Sequence, residues 1–212
     1  MSRKSLFVNA LTFARIPLVF GWFLFAILSE YSHRIELWGA AACVSLTLVG
    51  LTDAFDGALA RRWGVVSTLG KMSDPLMDKV FYVVVFPTLA WLIQHTTGND
   101  VHALVMLLFA IFYILRDLWV TFLRSVGALY GADGAAMWLG KVRTALSFPV
   151  AGLIYLYVLI YPLLSESNAT AGLFACYALE GVMILLNFIS FFTYTCKYWV
   201  YVKRAMGKNI SA

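Results

Sequence analysis

Residues 53–78 read DAFDGALARRWGVVSTLGKMSDPLMD and hold four of the eleven acidic residues in a chain of 212. Asp53 and Asp56 are three positions apart and Asp74 and Asp78 four, so each pair falls on one face if its segment is helical. Two such faces can meet around a common charge. Four carboxylates crowded at a membrane boundary repel one another and are costly unless cations neutralise them. Hard divalent ions with oxygen ligands, Mg²⁺ or Mn²⁺, meet that need. The plainer alternative is a set of solvent-facing acids paired with Arg61, Arg62, Lys71 and Lys79.

The rest of the chain determines where this stretch sits. It is 62% hydrophobic, 16% aromatic and only 13% charged, with a mean hydropathy of +0.82, which excludes an ordinary soluble domain. Several apolar runs reach the length of about 20 residues that crosses a bilayer. The expected fold is an all-α integral membrane protein with six transmembrane helices, preceded by an interfacial segment over residues 3–10, forming a single domain over residues 1–212. The basic opening MSRKSLFVNA shows no clear small-residue cleavage site and is expected to stay in the mature protein.

The spans are expected at about Leu11–Leu28, Leu37–Ala60, Leu69–Gln94 and His102–Val126, then from Lys141 to Tyr161 and from Ala171 to Thr195. Asp53 and Asp56 end the second span, and Asp74 and Asp78 begin the third, so both pairs lie on one side of the membrane. Pro75 fits a third helix whose first turn is still forming. Of the sixteen Lys and Arg residues, only Arg34 falls on the far side. The positive-inside rule therefore puts both termini and the acidic stretch in the cytoplasm, in a bacterial type of chain at the inner (plasma) membrane.

The net charge of +5 is dispersed between apolar spans, so membrane lipid and phosphate groups are expected as partners and nucleic acid is not. Cys43, Cys176 and Cys196 lie far apart without metal-ligand spacing, and His33, His95 and His102 show no ligand pattern. Asn9, Thr12 and Arg15 share roughly one face of the first span. An arginine that deep in an apolar helix either snorkels or meets an anion.

The order Asp53, two residues, Asp56-Gly57, two residues, Ala60-Arg61, eight residues, Gly70, three residues, Asp74, three residues, Asp78 resembles the signature of the CDP-alcohol phosphatidyltransferases at every defined position. Later blocks look most like the phosphatidylglycerophosphate synthase branch of that family. They are Arg116-Asp117, Arg124, and the run Trp138, Gly140, Lys141, Arg143 and Thr144. Asp117 stands where Glu is commoner and Arg143 where Lys is frequent. Met72, Ser73 and Met77 also depart from the usual residues.

The resemblance implies transfer of the phosphatidyl group of CDP-diacylglycerol to sn-glycerol 3-phosphate, with release of CMP. It implies a two-metal site of Mg²⁺ or Mn²⁺ held by Asp53, Asp56, Asp74 and Asp78, with Asp78 also accepting the proton of the attacking hydroxyl. Asp53, Gly57, Ala60, Arg61 and Gly70 would surround the cytidine diphosphate. A phosphorylated acceptor also demands a cationic pocket, for which Thr12, Arg15, Arg116, Arg124, Lys141 and Arg143 are the candidates. Their plainer reading is head-group snorkelling or topology determination. A homodimer through an apolar face of the third or fourth span is a further expectation from the resemblance.

Two rivals stand beside this reading. One keeps the chemistry and changes the acceptor to inositol phosphate, serine or another alcohol. The other is a cation transporter with intramembrane carboxylates, although such sites usually lie near the midplane between repeated halves, and no repeat is visible here.

Overall fold

The computed structural model describes residues 3–65, 68–132 and 137–207. Within this set the side chains of Thr68, Leu69, Lys71, Met72 and Asp74 lie outside the description, so the expected metal ligand Asp74 is placed only as a helical residue. The described residues form six α-helices: α1 (Arg3–Tyr31), α2 (Ile35–Trp63), α3 (Thr68–Thr97), α4 (Asp100–Leu129), α5 (Trp138–Ile160) and α6 (Glu166–Ala205). A single 3₁₀ turn, Tyr161–Leu163, joins the last two. All six helices are long and apolar enough to cross a membrane, and the protein is an integral multi-pass membrane protein.

The helix ends follow local chemistry. Gly64 closes α2 at φ 62°, a left-handed conformation that glycine adopts without a Cβ penalty, and the next amide, Val65 N–H, donates to Ala60 O at 3.1 Å. Asn99 caps α4 by accepting from the amide of His102 at 2.9 Å. Ser165 caps α6 through the amide of Asn168.

α3 is the core helix and packs against α1, α4 and α5. Its buried Phe81, Tyr82 and Phe86 meet Phe148 of α5 and Tyr113 and Phe109 of α4 in a run of ring contacts, with Val85 and Leu89 in the same core. α1 packs on α2, and α6 covers α4 and α5. Small residues allow the closest approaches: a Cβ added to Gly127 of α4 would stand 2.5 Å from the ring of Tyr198 in α6.

Three boundaries differ from those read in the sequence. Residues 3–10 are continuous with the first span as the first turns of α1, and Phe7 and Lys4 there pack on Trp63 at the end of α2, with ring centroids 6.2 Å apart for the aromatic pair. Pro75 is not in a first turn, since helical backbone already starts at Thr68. α6 runs to Ala205, and its 40 residues span about 60 Å at the usual rise, so the turns carrying Lys197, Lys203 and Arg204 reach past the apolar core. Lys208 lies outside the described residues.

Candidate active site

The start of α1, the end of α2 and the start of α3 meet at one end of the bundle. Arg15 is the centre of this junction and is only 2% exposed. Its Nη1 lies 2.6 Å from Asp53 Oδ1, its Nη2 lies 2.5 Å from Asp56 Oδ2, and Asp78 Oδ1 is 3.7 Å from Nη1. Thr12, one turn before Arg15, donates its hydroxyl to Asp56 Oδ2 at 2.8 Å. The arginine in the first span therefore meets an anion, and the anion is carboxylate.

The three carboxylates are unequally accessible. Asp56 is buried, while the side chains of Asp53 and Asp78 are 31% and 21% exposed and so face an approach route. Asp78 Oδ1 is buried yet makes no hydrogen bond among the described residues. One guanidinium does not balance three carboxylates in a low-dielectric setting, so the cluster retains an attraction for further positive charge. Its donors are all carboxylate oxygens, the ligand type that suits a hard divalent cation.

Gly57, Ala60 and Arg61 continue the Asp53 face of α2 at helical spacing. The Arg61 guanidinium folds back over Gly57, where an added Cβ would stand 3.3 Å from its Nη1. Gly70 lies half-buried in α3.

A second polar cluster is built by α4, α5 and α6. Arg143 is 2% exposed; its Nη2 donates to Asp117 Oδ1 at 2.7 Å and its Nη1 to Asn187 Oδ1 at 3.4 Å. Its guanidinium carbon sits 4.2 Å from the ring centroid of Tyr113 and 5.4 Å from that of Tyr82. Arg116 donates to Ser190 Oγ and reaches Asp117 Oδ1 at 3.4 Å, with its guanidinium carbon 5.2 Å from the centroid of Tyr194. Asp117 thus holds two arginines together, more closely Arg143 than its chain neighbour.

Asp78 joins the two clusters, being near enough to Arg143 and Asp117 to interact electrostatically with both. Of the residues proposed for an acceptor phosphate, Arg116 and Arg143 come together, while Thr12 and Arg15 belong to the carboxylate cluster. Lys141 is exposed on α5, and Arg124 is partly buried two turns beyond Arg116 on α4.

Sequence reasoning missed the contribution of α6. Its buried residues Glu180, Met183, Asn187, Ser190 and Tyr194 recur every three or four positions, a polar stripe in an apolar span that marks an inward face. It also left His102 unassigned. His102 is fully buried, and its Nε2 lies 3.0 Å from Glu180 Oε1.

The carboxylate cluster and the arginine cluster lie within one integral membrane bundle, linked through Asp78. The chain belongs to the CDP-alcohol phosphatidyltransferase family, whose model matches residues 6–199. It is similar to the CDP-diacylglycerol--glycerol-3-phosphate 3-phosphatidyltransferase of Bacillus subtilis (strain 168), 29% identical over 203 residues, covering 92% of this chain and 96% of that protein. It is 32% identical over 110 residues to the protein of the same name from Sodalis glossinidius (strain morsitans), covering 50% of this chain and 56% of the relative. A Yersinia pestis (strain Pestoides F) protein of that name is 32% identical over 111 residues, 51% and 57% of the two chains. Against these last two, the match spans little more than half of the relative's length.

Proposed function

We propose that this protein transfers the phosphatidyl group of CDP-diacylglycerol to sn-glycerol 3-phosphate, forming phosphatidylglycerophosphate and CMP. The observation that carries the reading is the meeting of Asp53, Asp56 and Asp78 around Arg15, with Asp78 also within electrostatic reach of Asp117 and Arg143. The names of the relatives and the family match support it.

Asp78 accepts the proton of the acceptor's free hydroxyl, whose oxygen attacks the β-phosphorus as the bond to CMP breaks. Asp53, Asp56, Asp74 and Asp78 would hold the two divalent cations, Mg²⁺ or Mn²⁺, which would supply charge neutralisation for the pyrophosphate and the leaving CMP. Asp53, Gly57, Ala60, Arg61 and Gly70 line the approach of the cytidine diphosphate. Arg116 and Arg143, with Arg124 and Lys141 at the rim, orient the acceptor phosphate. Thr12 and Arg15 close the site from α1 by fixing Asp56 and Asp53.

The proposal places the whole chain in one membrane domain of the inner (plasma) membrane, with this end and both termini in the cytoplasm, as the distribution of Lys and Arg favours. It includes a homodimer, for which the exposed face of α4, with Leu108, Ile111, Leu115 and Phe122, suits better than the largely buried α3. The test is the mass of the lipid product made by purified protein from CDP-diacylglycerol and glycerol 3-phosphate. Phosphatidylglycerophosphate is the expected product; phosphatidic acid alone, from hydrolysis, would reject the transfer.

A further inference from the structure

At the end of the bundle away from Asp78, the α3–α4 turn, the end of α5 and the start of α6 border a cavity of about 470 Å³. Thr97 on its wall stands nineteen residues after Asp78 in α3, about 28 Å along the helix, so the cavity is separate from the carboxylate cluster. Tyr157 and Tyr161 line one side with their rings edge to face, centroids 5.8 Å apart. Leu164 and Leu173 add apolar surface, and the nearby Leu163 and Phe174 are 85% and 67% exposed.

The polar side chains of this lining are mostly acceptors. The Thr97 hydroxyl donates to Ile93 O at 2.7 Å, that of Thr170 to Glu166 O at 3.0 Å, and that of Tyr157 to Ala169 O at 3.3 Å. A hydroxyl carries one proton, so each of these three has only lone pairs left for a ligand. Beside them the Glu166 carboxylate has no ion-pair or hydrogen-bond partner among the described residues, and no lysine or arginine lines the cavity. Carboxylate, spent hydroxyls and tyrosine rings together complement one kind of group, a compact cation with several N–H donors.

We propose that this cavity binds the primary ammonium head group of a phospholipid, phosphatidylethanolamine, from the membrane leaflet at this end of the bundle. A primary ammonium has three donors to spend on Glu166 and the hydroxyl oxygens, whereas a quaternary ammonium has none and would leave them unmatched. A lipid fits better than a soluble amine, because Leu163 and Phe174 continue the apolar surface outward where acyl chains lie. The bound head group ties the α3–α4 turn to the start of α6. Glu166 also lies in the first turn of α6, where an acid offsets the helix dipole, so the test reads lipid preference and not stability alone.

The test is a competition on the full-length protein in detergent micelles, read by native mass spectrometry. Dioleoyl phosphatidylethanolamine, phosphatidylcholine and phosphatidylglycerol are supplied in equal amounts, and about tenfold more of the first is expected on the protein than of either other. Glu166→Gln should abolish that preference, and Thr170→Val, at an exposed helical position, should lower it. Glu36→Gln, which removes the first-turn acid of α2 outside the cavity, should leave it unchanged. Equal retention of the three lipids by the unaltered protein overturns the proposal. So does a preference that survives both Glu166→Gln and Thr170→Val, or one that Glu36→Gln abolishes equally. Free ethanolamine in excess should not displace the lipid; full displacement would make the ligand a soluble amine and overturn its assignment to the membrane.

Discussion

Arg15 of α1 holds Asp56 of α2 through a contact of 2.5 Å in which both partners are buried. The same guanidinium reaches Asp53 at 2.6 Å, so a single side chain from the first helix fixes two carboxylates of the second. Removing one partner of a buried pair leaves the other uncompensated, a loss of about 3–5 kcal/mol. Arg15→Ala should therefore lower the melting temperature in chelator, and added Mn²⁺ should restore much of the loss. Melting curves in detergent with and without the metal check this, and equal melting of both proteins in chelator would contradict it.

Asp78 differs from its neighbours in having a buried oxygen with no hydrogen bond among the described residues. Asp78→Asn should cut kcat by about 100-fold or more while leaving the helical circular dichroism and detergent elution profile intact. A variant retaining half of the activity would remove Asp78 from the role of base.

The arginines of the second cluster should separate acceptor from donor. Arg116→Ala is expected to raise the KM for glycerol 3-phosphate about tenfold or more with little change in that for CDP-diacylglycerol. Arg124→Ala should act in the same direction but less, from its more peripheral place. An equal rise for both substrates would deny a separate phosphate pocket.

The pair formed by His102 and Glu180 joins α4 to α6 away from the carboxylate end, and both residues are almost fully buried. His102→Leu alone strands a buried carboxylate and should destabilise by about 3 kcal/mol, whereas the double substitution His102→Leu/Glu180→Leu should recover most of that loss. Chemical denaturation of the purified variants tests this. Losses that simply add would show that the two side chains do not act as a unit.

Much of this architecture was legible in the chain because hydropathy and spacing are local properties. Six apolar runs are six helices, and Asp53, Asp56 and Asp78, singled out by their spacing, all lie within reach of Arg15. The partner of Arg15 was not legible, because its carboxylates come from another helix and only packing decides between a snorkelling and a paired arginine. Nor was the role of Asn187, Ser190 and Tyr194, although their spacing on α6 was visible; a polar stripe identifies an inward face but not the arginine it meets. The contact of Phe7 with Trp63, more than fifty residues away, is likewise one that no local pattern reveals.

The most direct test of the central claim is CMP release by the detergent-purified protein given CDP-diacylglycerol and Mg²⁺, with glycerol 3-phosphate, inositol phosphate or serine supplied separately. The account predicts rapid release with glycerol 3-phosphate and only background with the other two. Release with inositol phosphate or serine in its place would contradict the assigned acceptor, and silence with all three would contradict the proposed transfer.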